Sequence, residues 1–490
     1  MKKWLIRIFG SIAAVVVLLF ILVRVFVGGV NMPLGTVAAD GQILADRIVV
    51  AEGFSMGLWA ADVPNARVIR FTRAGDLLVA NPGLNQVVLL KRDADGDGKS
   101  DGKQVVLDGI NTPNGLDFYQ DWLYVAEEDA IGRVAFDHDS GQVTGSYERI
   151  VTGLPGGGNH YKKTLLFGPD GMLYVAVGSS CNVCIEKDSR RAAMLRYNPD
   201  GTGEELYATG LRNSAGFDWS PIDGNLYATD NGRDLLGDDF PPCELNRVEQ
   251  GEFYGWPYAN GDRVADPDLG ANQEERIASS IPPVHDFRAH NAPLGITFIR
   301  NSQLPAEYYG AAVVALHGSW NRTSKDGYKV VTLHWNEQGE ITERDFVTGF
   351  LKDEDVVGRP AELTEGPDGA IYIADDYAGA IYRVAYNEVQ TLQIPQRIIP
   401  EQYDPGATLA ALGNDEFGAL FAKGNELFQQ YQCVNCHNDR PDGKKLHRVG
   451  FRYDLNSLRA HFLKPPVPMP VFPLTDEDRK ALAVFVIKTY

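Results

Sequence analysis

The stretch GPDGMLYVAVG, residues 168–178, couples a tight-turn signal to a five-residue apolar run, and variants of it recur along the chain. Asp-Gly supplies the left-handed turn that favours glycine, and Leu-Tyr-Val-Ala-Val is the composition of a short buried strand. The clearest further copies are SPIDGNLYATDNG (220–232) and GPDGAIYIADD (366–376). Looser ones start at 72 (TRAGDLLVANPG), 119 (YQDWLYVAEED) and 308 (YYGAAVVALHG). Their strands begin near 77, 123, 173, 226, 312 and 371, so most intervals run about 46 to 59 residues, enough for a four-stranded sheet each. Six such units predict an all-β six-bladed β-propeller over 31–387. The wider 226–312 interval predicts an insertion, opening with EFYGWPYANG at 252.

The charge is divided unevenly. The chain of 490 residues carries −19 overall, but residues 1–30 hold four basic groups and no acidic ones, and 412–490 hold eleven basic against nine acidic. The propeller region is therefore near −25, which repels nucleic acid and anionic lipid and argues against a nucleic-acid partner. In residues 1–30, Lys2, Lys3 and Arg7 precede an apolar run from Ile8 to Val23. The run is long for a signal peptide and lacks a small-x-small cleavage site, so a retained transmembrane helix is expected, with a cleaved secretory peptide as the alternative. Basic residues on the N-terminal side place everything downstream outside the cytoplasm. The expectation is a single-pass protein of the cell inner membrane with its other domains in the periplasm.

After residue 387 the pattern changes. Residues 388–411 have three prolines and no periodicity and are expected to be a linker; 412–490 are expected to be a small all-α domain. Apolar residues of DEFGALFAKGNELFQQY recur at helical spacing from Asp415, and Thr475 is placed to cap a closing helix that begins with acidic residues. Between these helices lies QYQCVNCHND (430–439). A zinc site needs two further ligands, and no other cysteine follows Cys243 outside this motif. Cys433 and Cys436 suit thioether attachment of haem, with the adjacent His437 as iron ligand, on the helix expected from Asp415. Met469, in KPPVPMPVFP, is the expected sixth ligand; His447 and His461 are its competitors. The segment resembles class I cytochromes c, which implies haem c and electron transfer.

The loops of the propeller carry convergent polar groups. GLPGGGNHYKK puts His160 just before the third copy, and GLRNSAGFDWS puts Arg212 and Asn213 before the fourth. HGSWNRTSKDGYK brings His317, Trp320, Asn321 and Arg322 after the fifth, and VVGRPAELTEGPDG places Arg359 before the sixth. Equivalent loops of successive blades meet at the propeller axis, so these side chains are expected in one pocket.

GGNH, LRNSAG, TDNG, HGSWNR and GRPAELTEGPDG together resemble the sorbosone and pyranose dehydrogenase branch of the soluble quinoprotein glucose dehydrogenases, over roughly residues 45–385. The resemblance implies pyrroloquinoline quinone (PQQ) and Ca²⁺. It implies His160 as the general base for a sugar hydroxyl and Arg212 as the group that polarises the quinone carbonyl, with Asn213 beside it. Asn231 would line the cofactor, and the main-chain oxygens of Gly232 and Arg233 would hold Ca²⁺. His317, Trp320, Asn321, Arg322 and Arg359 would be cofactor-wall or carboxylate-binding residues.

Two motifs remain. DADGDGKSDG offers Asp93, Asp95, Asp97 and Asp101 at near-alternate positions, suited either to Ca²⁺ or to a solvated hairpin turn. Cys181 and Cys184 of SSCNVC are expected to form a structural disulfide, leaving Cys243 over. The resulting expectation is a membrane-anchored quinohaemoprotein sugar dehydrogenase. It would oxidise a small sugar or aldehyde and pass electrons through haem c to a quinone, a cytochrome or an oxidase. The alternatives are a Ca²⁺-dependent lactonase-like hydrolase without PQQ, or a redox-partner binding module.

Overall fold

The computed structural model describes residues 29–33, 35–300, 303–387, 404–437, 446, 449–463, 465 and 469–490. Six antiparallel sheets make the propeller. The recurrent apolar runs are the second strands of the six blades: Leu77–Asn81, Trp122–Ala126, Leu173–Val177, Leu226–Asp230, Ala312–Leu316 and Ile371–Asp375. All but Trp122 of these residues are buried. Each sheet is packed on both faces by its neighbours, which is why the strands read as continuous apolar runs and not as alternation. The Asp-Gly turns join first strand to second. Gly171 (φ 72°) and Gly369 (φ 78°) take the left-handed conformation there, and Gly168 N–H closes its turn on Met172 O at 2.8 Å.

The first strands, Ile69–Phe71, Leu116–Tyr119, Lys163–Phe167, Gly216–Trp219, Pro293–Phe298 and Pro360–Glu365, contact one another in sequence and close the ring around the axis. The seam is sealed by a strand from the other end of the chain. Phe54–Ala60 pairs with Ala380–Tyr386 as the outer strand of blade six, so the last blade cannot form without the first residues of the domain. Val49–Val50 adds a fifth strand to blade five. The expected insertion lies between Cys243–Val248 and His285–Phe287 of blade four, and includes a short hairpin and the helix Glu274–Ser279.

The helical unit packs Asn414–Gln430 against Asp476–Thr489. A Cβ on Gly424 would lie 2.1 Å from Ala481 O, so glycine there lets the two helices cross closely. Thr475 caps the last helix through a reciprocal capping box with Asp478. Two boundaries differ from expectation. Helix Pro405–Ala410 lies inside the expected linker, because Leu409 and Leu412 pack on the helical core. The Cys-x-x-Cys-His motif is not on the long helix, which ends at Gln430; left-handed Gln432 (φ 54°) turns the chain into a 3₁₀ turn at Cys433–Asn435. The expected anchor, Ile8–Val23, lies outside the described residues, as does 388–403. Among the described residues no helix is long and apolar enough to cross a membrane.

Candidate active site

The first two strands of a blade are antiparallel, so the residues before the first and after the second lie at the same end of the propeller. His160, Arg212 with Asn213, and Arg359 precede first strands. Asn231–Arg233, His317 and Asp376 follow second strands.

His160 Nδ1 lies 2.9 Å from Ser179 Oγ, and that hydroxyl donates to Cys181 O at 2.8 Å. Serine has a single O–H proton. With it committed to Cys181, Ser179 accepts from His160, so Nδ1 carries the imidazole proton and Nε2 keeps its lone pair. Nε2 has no partner among the described residues. Burial, and beyond it Arg212 and Arg191, push His160 down to about 3, so the ring is neutral at physiological pH. A Cβ on Gly178 would meet His160 Cβ at 2.5 Å and Asn213 Oδ1 at 2.9 Å; glycine at 178 allows these two to converge.

Arg212 is 3% exposed and fully committed to protein acceptors. Nε donates to Asn182 O (2.9 Å), Nη1 to Asn231 O and Gly232 O (both 3.0 Å), and Nη2 to Asn182 Oδ1 (2.9 Å) and Asp234 Oδ2 (3.1 Å). With all five N–H groups engaged, what Arg212 can offer a bound group is its charge. Its backbone N–H and that of Asn213 donate to Asp230. Burial pushes Asp230 up to about 7 and its cross-strand neighbour Glu244 up to about 8.

A second cluster stands at the same end. His317 Nε2 donates to Asp376 Oδ1 (2.8 Å), and Arg67 Nη1 donates to Asp376 Oδ2 (2.7 Å). Burial opposes ionisation of Asp376, but His317 and Arg67 outweigh it and hold the carboxyl well below its usual range. Burial, then Arg359, push His317 down to about 4, so the contact is a neutral imidazole N–H on a carboxylate. Arg359 donates to His317 O (3.1 Å) and Gly318 O (3.0 Å) and lies 5.4 Å from the Tyr328 ring centre; its other N–H groups have no partner among the described residues. Lys162 likewise makes no hydrogen bond or ion pair there. Burial and Arg67 push it down to about 7, with Asp376 opposing, which places the His160 loop and the Arg67–Asp376 pair in one electrostatic neighbourhood.

Residues 44–396 match the profile of a family described as a domain of unknown function, DUF7133, well over half of the chain. The chain belongs to this family. An uncharacterised protein of Borreliella burgdorferi is 39% identical over 221 residues, covering 44% of this chain and 58% of that protein. The aldose sugar dehydrogenase YliI of Escherichia coli K12 is 24% identical over 310 residues, 58% of this chain and 78% of that one. The chain spans little more than half the length of the first curated relatives it matches, 58% and 54%. Among solved structures, the calcium structure of the Trichoderma reesei enzyme of carbohydrate-active family AA12 aligns with a TM-score of 0.62 at 20% identity, over 73% of this chain and 99% of that one. The holo PQQ domain of Coprinopsis cinerea pyranose dehydrogenase aligns with a TM-score of 0.60 at 20% identity, over 69% and 97%. At these identities the structural likeness shows the six-bladed propeller fold.

Within the DUF7133 domain the structure sorts the expected site residues. His160, Arg212, Asn213, Asn231 and Gly232 come together; His317 and Arg359 belong to the second cluster. Trp320 sits at the rim, where its carbonyl accepts from Asn31 N–H. Asn321, Arg322 and the Arg233 side chain are braces between loops. Asn321 Oδ1 accepts from Leu235 N–H (2.6 Å), Arg322 donates to Asp238 O and to Asp239 (3.1 Å), and Arg233 pairs with buried Asp266 (2.7 Å) to pin the blade-four insertion. The sequence pattern did not single out Ser179, Asn182, Lys162, Arg67 or Asp376. Ser179 lies just before the Cys181–Cys184 disulfide, which is formed and closes the short loop in which Asn182 is held on Arg212. Cys243 is a buried thiol, and burial pushes it up to about 11.

The residues fit the groups that the fold's relatives carry. Arg359 and Lys162 offer uncommitted N–H donors to a polycarboxylate, and Asn231 Oδ1 is buried without a partner among the described residues. Gly232 O keeps one lone pair beyond its bond from Arg212, and buried Asp230 and Glu244 are carboxyls whose charge a nearby cation would favour. In the DADGDGKSDG turn, the carboxylates of Asp93, Asp95 and Asp101 converge, while Asp97 accepts from Lys99 N–H (2.8 Å). Asp93 also accepts from Gly96 and Gly98 N–H, so the carboxylates cap the turn itself.

Outside the DUF7133 match, the helical unit contains an apolar hollow enclosing about 830 Å³ of unfilled space, part of it open to solvent. Cys433, His437 and Met469 line it among aromatic and aliphatic side chains, with His461 also on its wall. Cys433 and Cys436 are free thiols, Cys436 exposed at the surface. His447 lies outside the described residues.

Proposed function

We propose that the propeller is a PQQ- and Ca²⁺-dependent sugar dehydrogenase, and that the helical unit is a class I cytochrome c domain carrying its electrons onward. The observation that carries the reading is the neutral His160, with Nε2 uncommitted, beside the buried charge of Arg212 in a propeller of this fold. Sequence likeness to an aldose sugar dehydrogenase and fold likeness to a pyranose dehydrogenase PQQ domain support it.

PQQ, when bound, supplies a two-electron acceptor for hydride. Arg359 and Lys162 would hold its carboxylates, Asn231 would meet its edge, and Gly232 and Arg233 carbonyls would hold Ca²⁺. His160 takes the proton of the substrate hydroxyl at Nε2, while Ser179 keeps the proton on Nδ1 and so fixes which nitrogen is basic. Arg212 favours negative charge that develops nearby, and does so without reorganising because its bonds to Asn182, Asn231, Gly232 and Asp234 are already made. In the helical unit, Cys433 and Cys436 would bind haem c covalently, with His437 and Met469 on the iron. The free thiols and the apolar hollow between His437 and Met469 fit that group. Ile8–Val23 anchors the chain in the inner membrane, with both units in the periplasm and a respiratory quinone, cytochrome or oxidase as acceptor.

The test is reconstitution of the full chain with PQQ and CaCl₂, followed by an aldose screen that reads both dye reduction and the visible haem bands. Sugar-dependent reduction that requires PQQ is expected. Haem reduction absent while dye is reduced would remove the relay; no reduction with any aldose would remove the dehydrogenase and favour a hydrolase or a binding module.

A further inference from the structure

Gly29 and Asn31 are clamped onto the site-bearing end of the propeller. Asn31 N–H donates to Trp320 O (2.9 Å). Its side chain donates to Thr323 O (3.1 Å) and Glu354 Oε2 (2.8 Å) and accepts from Lys325 Nζ (2.8 Å). Gly29 N–H donates to Asp238 Oδ1 (3.3 Å), and Gly29 O accepts from Asn321 Nδ2 (3.3 Å). A Cβ on Gly29 would lie 2.2 Å from Thr323 Cα, so this passage admits only glycine.

The clamping residues belong to the loops that build the site. The loop after Leu316 presents His317, which Arg359 holds, and continues into Trp320 and Thr323. The loop after Asp230 presents Asn231 and Gly232, which Arg212 holds, and continues into Asp238. The chain therefore enters at the end that carries His160. The opposite end carries the turns at 168–171, 220–225 and 366–369.

Upstream, the apolar run Ile8–Val23 is separated from Gly29 by residues 24–28 alone. The six steps from Val23 to Gly29 reach at most roughly 20 Å when fully extended. Val30 (62% exposed) and Met32 (52%) flank the clamped Asn31, apolar side chains turned to solvent on an acidic body. That acidity gives anionic lipid no hold on the domain, so the short tether sets its orientation.

We propose that the site-bearing face of the propeller is held against the membrane surface, with Val30 and Met32 at the headgroup region of a neutral phospholipid bilayer. The inference rests on the anchor proposed above and adds the orientation: the mouth of the site is on the bilayer side, and sugar enters it from the gap between protein and lipid.

Two variants of the full chain, each with one added cysteine, test this. Ser324→Cys places a fluorophore on the clamped loop, and Ile222→Cys places it on a turn at the opposite end, where Ile222 is 66% exposed. Each is reconstituted into phosphatidylcholine vesicles with a headgroup-attached nitroxide quencher, and identically treated wild-type protein gives the background. The Ser324→Cys label is expected to lose most of its emission and the Ile222→Cys label to keep most of it; equal quenching, or stronger quenching at 222, overturns the orientation. Flotation separates this from the anchor: a chain that fails to float with vesicles overturns the anchor reading and the orientation together. Combining Gly29→Ala with Asn31→Ala should leave flotation intact and abolish the difference between the labels; a persisting difference overturns the role of the clamp.

Discussion

His160 and His317 stand at the same end of the propeller, both shielded, both neutral at physiological pH, and they are backed by different partners. His317 has Nε2–H fixed on Asp376, which Arg67 holds from its other oxygen. His160 rests its protonated nitrogen on a serine hydroxyl whose own proton is engaged elsewhere, and its second nitrogen is left uncommitted. On the function proposed above, the difference separates a wall from a base. A neighbouring carboxylate makes an imidazole conspicuous, but the nitrogen left with a lone pair decides whether it can take a proton.

The largest effect should come from removing that lone pair. His160→Gln is expected to lower kcat by about 10²–10⁴-fold with PQQ affinity unchanged. His317→Gln should instead weaken PQQ binding by about tenfold, the worth of the one hydrogen bond to Asp376 that holds this wall in place, with kcat at saturating PQQ within a few-fold of wild type. Titration of PQQ against steady-state kinetics separates the two, and a His317→Gln variant that loses turnover while binding PQQ normally would reverse the assignment.

Asp376→Asn leaves Arg67 without its carboxylate and should cost about 3 kcal/mol of stability, read from denaturant unfolding. Ser179→Ala removes the acceptor that fixes the His160 tautomer. We expect kcat to fall about tenfold with PQQ binding and unfolding midpoint nearly unchanged, the free-energy worth of one hydrogen bond; an unchanged kcat would show that the tautomer is set elsewhere.

The smallest effect is on pH dependence. His160 and His317 titrate near 3 and 4 in the folded protein against about 6.5 when unfolded, so between roughly 6.5 and 4 the unfolded chain takes up protons that the native one refuses. Their contribution to stability is present above pH 6.5 and lost as pH falls through this window. Asp230 and Glu244, raised by burial, act in the opposite sense. The informative quantity is therefore a difference: His317→Gln should flatten the loss of stability from pH 6.5 to 4 relative to wild type in urea midpoints.

The propeller was legible because its second strands are buried on both faces and so print themselves as apolar runs after Asp-Gly turns. The blade-four insertion was legible as an overlong interval. The strand that closes the ring was not, since Phe54–Ala60 carries no repeat signature and its partner lies more than 300 residues away. Loop residues at blade ends could be found by position, which brought His160, Arg212 and Arg359 forward. Position alone could not tell Arg322, a brace under the loops, from Arg359, a donor at the site. Nor could it show that a serine beside a disulfide holds Nδ1 of His160. Those distinctions depend on which hydrogen-bonding groups are already committed, and that is a property of the folded arrangement.

The central claim is that His160 takes a sugar proton in a PQQ-loaded propeller. Single-turnover absorbance of the PQQ- and Ca²⁺-loaded chain mixed with an aldose tests it most directly, in wild type and in His160→Gln. The account predicts rapid sugar-dependent bleaching of the oxidised cofactor in wild type, and at least about a hundredfold slower bleaching in a variant that binds the same amount of PQQ. Equal rates in the two proteins, or no bleaching of loaded wild type by any aldose, would contradict it.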